Sequence, residues 1–269
     1  MMRMLAVRLV LLSALVTLSG ATAVAQTATQ TKPFEPYQGQ PGKDVVWVPT
    51  DQRLVDKMLD MAKVTPQDFL MDLGSGDGRT VITAAKRGLR AQGIEYNPDM
   101  VALSKRNATA AGVTERAQFV QADIFETDFS KATVLTLFLL PQLNLRLRPT
   151  ILNMKPGTRV VSNSFNMAEW EADQTETIPN CSVSFCTAML WIVPAKVAGN
   201  WQLGTDTLTL DQNFQMVSGK LGSAVLSEGK LNGADITFTA GGKKYTGKVD
   251  GNSMSGTIAG GGSWTAKKS

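Results

Sequence analysis

From Asp51 onward the apolar positions fall into alternating helical and strand periods. Leu54, Val55, Met58, Leu59 and Ala62 share one helical face, and Asp51 stands where an N-cap belongs. Thr65-Pro66 stops that helix. Phe69 to Leu73 is a short apolar strand running into the glycine-rich stretch at 72–79. The pattern then predicts a helix from Thr80 to Arg87, a strand from Ala91 to Glu95, a helix from Pro98 to Ala111 and a strand from Gln118 to Gln121. Thr133 to Leu140 is an almost continuous apolar run, as a fully buried parallel strand requires. A helix from Gln142 to Met154 and strands from Thr158 to Ser164 and Ala188 to Val193 complete the series. Repeated β-α-β with short links predicts an α/β, doubly wound Rossmann-like sheet over 45–198.

The pattern changes at Gly199. From there to Ser269, 14 of 71 residues are glycine and helical periodicity disappears. Leu208 and Leu210, Phe214 and Met216, and Ile236 and Phe238 alternate as in strands, and Asn232-Gly233 and Asp250-Gly251 are hairpin turns. The run Gly229 to Gly233 is echoed by Gly247 to Gly251. Residues 199–269 therefore read as a small C-terminal all-β domain, a meander or barrel of about six short strands.

The first 25 residues read as a signal peptide: a basic start through Arg8, an apolar run from Leu9 to Leu18, and Ala23-Val24-Ala25 as a cleavage site before Gln26. The apolar run falls short of the ~20 residues that span a bilayer. The expectation is export to the periplasm or medium with no membrane span after cleavage, an uncleaved tether being the lesser alternative. Residues 26–44, rich in Thr, Gln, Pro and Gly, read as a flexible lead-in.

Composition narrows the chemistry. The formal charge of +4 drops to +2 without Arg3 and Arg8, so no nucleic-acid partner is expected. The absence of histidine excludes a Ser-His-Asp triad and any His-containing zinc site, and no metal site is expected. Cys181 and Cys186 leave two readings open, a disulfide closing a short loop or two small buried hydrophobes.

Candidate chemistry lies at the strand ends. Asp72-Leu73-Gly74-Ser75-Gly76-Asp77-Gly78 forces a strand to turn sharply into a helix. Glycines there let a ligand approach the backbone, and the helix N-terminus favours a carboxylate or other anion. The G-x-G-x-G spacing differs from the dinucleotide fingerprint. Glu95, 21 residues beyond Gly74, ends the next strand, where a carboxylate typically accepts from a ribose diol. Asp123 follows the third strand and suits an exocyclic amine, with Ile124 or Phe125 packed on the ring; helix capping is its alternative.

Taken together these residues resemble the class I S-adenosylmethionine-dependent methyltransferases, over about residues 45–194. The resemblance implies that residues 72–78 hold the methionine part of S-adenosyl-L-methionine, with Glu95 on the ribose and Asp123 and Ile124 beside adenine. Lys155-Pro156-Gly157 looks like the family's lead-in to its fifth strand. Val46-Trp47-Val48-Pro49-Thr50 and Phe138-Leu139-Leu140-Pro141-Gln142 look like a subgroup related to ATP synthase c-subunit lysine methyltransferases. That resemblance makes Trp47, Leu140, Pro141 and Gln142 the substrate-side candidates, and a protein lysine the first acceptor, with a small molecule or lipid next. Many members carry Asn/Asp-Pro-Pro-aromatic where this chain has Leu140 to Leu143, which argues against methylation of base amines. Glu169, Glu171 and Asp173 follow the fifth strand as candidate proton acceptors. An exported, non-catalytic binding protein that retains the fold is the alternative. A dehydrogenase is opposed by the glycine spacing and by the lack of a histidine or a Tyr-x-x-x-Lys pair.

Overall fold

Asp51 accepts a hydrogen bond from the Arg53 amide and opens α1 (Gln52–Met61), whose buried stripe of Leu54, Val55, Met58 and Leu59 is the one the spacing predicts. The computed structural model describes residues 34–181 and 184–269, so the signal-peptide segment lies outside the described residues. Chain order continues with β1 (Phe69–Leu73), α2 (Arg79–Lys86), β2 (Arg90–Glu95), α3 (Pro98–Ala110) and β3 (Ala117–Gln121). Next come β4 (Val134–Leu137), α4 (Pro141–Ile151), β5 (Arg159–Asn163), β6 (Gln174–Thr177) and β7 (Thr187–Ile192).

These seven strands form one sheet in the order β3-β2-β1-β4-β5-β7-β6. Pairings from β3 through β5 are parallel, whereas β7 runs antiparallel to both β5 and β6. All four residues of β4 are buried, since both faces of the sheet are covered. Residues of α1, α2 and α3 pack into one core, and α4 joins Trp170 and Trp191 in another. The strand order reverses between β1 and β4, and the crevice past their carboxyl ends is where open α/β sheets take ligands.

One expectation is corrected here. The strand read as Thr133 to Leu140 ends at Leu137, and Phe138 to Leu140 form its run-out. The edge strand β6, Gln-Thr-Glu-Thr, lies mostly exposed and offers no apolar pattern to read.

The C-terminal part holds β8 (Gly199–Leu203), β9 (Asp206–Asn213), β10 (Met216–Leu221), β11 (Ala224–Val225) and β12 (Ser227–Asn232). It continues with β13 (Asp235–Ala240), β14 (Lys243–Asp250), β15 (Ser253–Ile258) and β16 (Ser263–Lys268). β10 pairs with both β9 and β12, and β16 with β8, which closes an eight-stranded antiparallel barrel; the two-residue β11 adds to the end of β10. Closure removes the sheet edges that a meander would expose. Leu208, Leu210, Ile236 and Phe238 point inward as their alternation predicts, and Phe238, Tyr245 and Trp264 pack as rings 4.8–6.0 Å apart. Phe214 and Met216 do not: Phe214 sits in the β9–β10 turn at φ 54°, and Met216 is exposed.

Phe214 instead stacks on Trp170 of the first sheet's core at 6.0 Å. The joint is extended by a Gln215 side-chain bond to the Glu171 carbonyl at 2.9 Å, the Ala195 amide to the Gly233 carbonyl at 2.8 Å and a Lys230–Asp173 pair at 3.5 Å. Cys181 and Cys186 form a disulfide with their Cα atoms 5.9 Å apart, which decides between the two readings of the pair.

Candidate active site

The turn from β1 into α2 is held by its own backbone and by the end of β2. The Gly74 and Ser75 amides both donate to the Ile94 carbonyl, at 2.9 and 3.0 Å. The Gly76 amide donates to one Glu95 oxygen and the Asn97 amide to the other, each at 2.9 Å. A carboxylate accepts about four hydrogen bonds, so Glu95 shapes the turn and keeps capacity for a ligand. Gly76 and Gly78 adopt φ of 53° and 82°. A Cβ on Gly76 would lie 2.7 Å from the Trp47 indole nitrogen, and one on Gly78 2.7 Å from the Phe119 ring.

Asp72, at the end of β1, is buried and accepts from the Thr136 hydroxyl of β4 at 2.6 Å. Burial is the main cause that pushes its carboxyl up to about 7; nearby Glu95 and Asp77 add to the rise, and the Thr136 bond opposes it. The Ser75 hydroxyl is buried without a hydrogen-bond partner among the described residues.

Residues 39–47, from the end of the lead-in into the start of the domain, close on themselves, with the Gly39 amide donating to the Trp47 carbonyl and the Trp47 amide to the Gln40 carbonyl, both at 2.8 Å. This strap lines the cavity that the glycine turn borders. Lys43 donates to Asp123 and lies 4.6 Å from the centre of the Tyr96 ring. The Lys43 ammonium, followed by the Phe125 amide at 2.9 Å, holds the Asp123 carboxyl below its ordinary value.

Of the residues named from sequence, Trp47, Asp72, Gly74, Ser75, Gly76, Asp77, Glu95, Asp123, Ile124 and Leu140 line one cavity. Gly78 stands behind the turn, where its missing Cβ lets α2 approach Phe119 and Ser104. Pro141 and Gln142 are not brought to the cavity: Pro141 is at the first turn of α4, both are exposed, and Leu143 faces the site instead. Glu169 pairs with Arg148 at 2.7 Å, and Glu171 and Asp173 serve the joint with the barrel, so none of the three lines the cavity. Lys43, Phe165 and Phe185 line it without any sequence signal, since each reaches the site from a segment of ordinary loop composition.

The cavity has two unlike halves. Its carboxylates come from the strap, the glycine turn and the ends of β1, β2 and β3: Asp44, Asp72, Asp77, Glu95 and Asp123. Its two cations are tied to acids, Lys43 to Asp123 and Arg79 to Asp77 at 2.6 Å. The segments after β4 and β5 and before β7 contribute Phe138, Leu139, Leu140, Phe165 and Phe185, with no ionisable group. No lining residue comes from the barrel. Among the described residues no cluster of metal-ligating side chains occurs, and no helix is long and apolar enough to cross a membrane. The donor set fits a nucleoside that carries positive charge: acceptors for hydroxyls and an amine, backbone amides at a helix N-terminus, and an excess of carboxylates.

Fold and cavity together define a nucleoside-binding α/β domain. The family described as ANTKMT methyltransferase domain matches residues 72–174. A protein-lysine N-methyltransferase from Saccharolobus islandicus (strain REY15A) is 40% identical over 152 residues, covering 55% of this chain and 94% of its own. An ATP synthase c-subunit lysine N-methyltransferase from Mus musculus is 35% identical over 130 residues, 48% of this chain and 52% of its own, so the chain spans about half of that relative's length. Among solved structures, an RNA methyltransferase from Salinibacter ruber in complex with S-adenosyl-L-homocysteine shares 45% identity at a TM-score of 0.52, over 56% of this chain and 96% of that one. The chain belongs to the S-adenosylmethionine-dependent methyltransferases, and S-adenosylmethionine is its cofactor.

Proposed function

We propose that the enzyme methylates the side-chain amine of a protein lysine. The observation that carries this reading is the division of the cavity into an acid-rich half and a half that is apolar and aromatic. In this reading Asp72 and the turn from Gly74 to Gly78 hold the methionine part of S-adenosylmethionine, Glu95 takes the ribose hydroxyls, and Asp123 with Ile124 flanks adenine. The bound cofactor supplies an electrophilic methyl group on a sulfonium. Leu139, Leu140 and Trp47 exclude water from the meeting point of the halves, and alignment of the acceptor does most of what such a transfer needs. The acceptor ammonium gives its proton to water before transfer, because only the neutral amine has the lone pair that attacks the methyl carbon. Identity to relatives named as lysine methyltransferases supports the same acceptor.

The test is transfer of labelled methyl from S-adenosylmethionine to lysine peptides and to the same peptides with arginine in place of lysine. Label confined to the lysine series supports the proposal; label in RNA and in neither peptide series overturns it. We also infer export, from the pattern of residues 1–25 and with support from the Cys181–Cys186 bridge, since disulfides persist in oxidising compartments. Recovery from the periplasm of a chain that starts at Gln26 is the expected result, and retention in the cytosol with Met1 intact contradicts it.

A further inference from the structure

Three phenylalanines from separate segments meet on the ion-free side of the cavity. Phe138 is the first residue beyond β4, Phe165 the second beyond β5, and Phe185 stands two before β7. Ring centroids are 6.1 Å apart for Phe138 and Phe165, 5.3 Å for Phe138 and Phe185, and 5.5 Å for Phe165 and Phe185. All three are half-buried and line the cavity. None belongs to the hydrophobic cores on either face of the sheet or in the barrel. Three large apolar side chains grouped outside every core, at a cavity, mark a surface kept for a ligand.

The backbones beside Phe165 and Phe185 are fixed. The buried Asn144 side chain donates to the Phe165 carbonyl at 3.1 Å, and the Ser164 amide to the Thr187 carbonyl at 2.7 Å. Beside Phe185, Cys186 is bonded to Cys181, and its carbonyl accepts from the Ile178 amide at 3.0 Å. Phenyl faces attract a cation that lies within about 6 Å of their centroids. The cavity's own cations are engaged by Asp123 and Asp77, so no fixed positive charge competes for these rings.

We propose that Phe138, Phe165 and Phe185 form the acceptor subsite and hold a cationic amine head on an alkyl stem, methylated ammonium included, against their ring faces. The proposal rests on the reading of this cavity as the site of methyl transfer to a lysine amine, and it names what grips that amine. It adds a requirement that an apolar slot alone would not impose: charge on the head group must matter, and not its volume only.

The test uses the full protein saturated with S-adenosyl-L-homocysteine. It is titrated with Nα-acetyl-trimethyllysine amide and with the neutral analogue that has carbon in place of the quaternary nitrogen. The charged probe is expected to bind about fivefold tighter or more. Phe185→Leu, which keeps apolar bulk, should erase most of that preference, and Phe185→Trp should retain it. S-adenosylhomocysteine affinity in the same samples reports that each variant is folded. Equal affinity for the two probes, or an undiminished preference in Phe185→Leu, overturns the subsite. Methylation of lysine peptides without probe discrimination defeats the subsite and leaves the lysine reading standing. Probe discrimination without lysine methylation does the reverse.

Discussion

At Asp72 a carboxyl group is buried one strand away from the hydroxyl that bonds it, and its folded value near 7 stands well above the ordinary 3.8. A raised value means the folded protein holds the proton that the unfolded chain releases. The stability from this group is therefore complete below about pH 4 and is lost as pH rises through 7. Asp72→Asn keeps an acceptor for Thr136 but cannot ionise. Between pH 5 and 8 the cofactor-free variant should gain about 2–3 kcal/mol on the wild type, measured by denaturant unfolding; parallel profiles would show that Asp72 is not held neutral. Gly76 is constrained differently. Valine there meets a φ of 53° and the Trp47 indole, and should lower S-adenosylhomocysteine affinity more than about tenfold in a folded protein. Calorimetry reads it, and near-native affinity would detach the turn from the cofactor. Asp72, Glu95 and Asp123 were legible because each ends or follows a strand, so local order alone brings them to one edge of the sheet. Phe165, Phe185 and Lys43 were not, because their neighbours at the site lie tens of residues away in sequence. Gln142 misled because a one-position difference of helical phase decides which side chain faces inward, and Leu143 does.

Among elements, the strap departs furthest from its sequence. A Thr-, Pro- and Gly-rich lead-in reads as featureless, yet residues 39–47 make a closed loop whose Lys43 reaches the acid predicted to meet adenine. Nothing in a lone lysine announces that contact. Lys43 is exposed, and exposed ion pairs hold little, so the strap can yield to a ligand that claims Asp123. Lys43→Ala should raise both the association and the release rate of S-adenosylhomocysteine by about two- to fivefold, in line with such weak pairs. Stopped-flow tryptophan fluorescence would record it, and unchanged rates would mean that the strap does not gate entry. Elsewhere α1 was readable because it buries one clean face, and β1 because it is a short apolar run buried on both faces of the sheet. The exposed β6 carried no such signal, and the apolar run after β4 was over-read because lining a cavity and filling a core demand the same residue types.

For the whole molecule, the question is what joins a methyltransferase sheet to a closed barrel that contributes nothing to the cavity. Glycine content and the two hairpin turns made the barrel's class legible, but not its eight-strand closure, because closure depends on β8 finding β16 at the far end of the domain. The same pairing logic hid Phe214, which reads as an inward barrel residue and instead leaves the barrel to stack on Trp170, with Arg148 5.4 Å from its ring centre. Trp170 is fully buried and also accepts, through its carbonyl, the Trp191 indole at 2.7 Å. The joint therefore reaches into the core on one face of the sheet and not into the site. Phe214→Ala should cost about 1–3 kcal/mol, the aromatic contact being half-buried. It should also split the urea unfolding transition, followed by far-ultraviolet dichroism, into two steps. Affinity for S-adenosylhomocysteine should stay at the wild-type level, because neither Phe214 nor Trp170 lines the cavity. A fall in that affinity at full stability would instead make the barrel a partner in cofactor binding, coupled through Trp170 and β7.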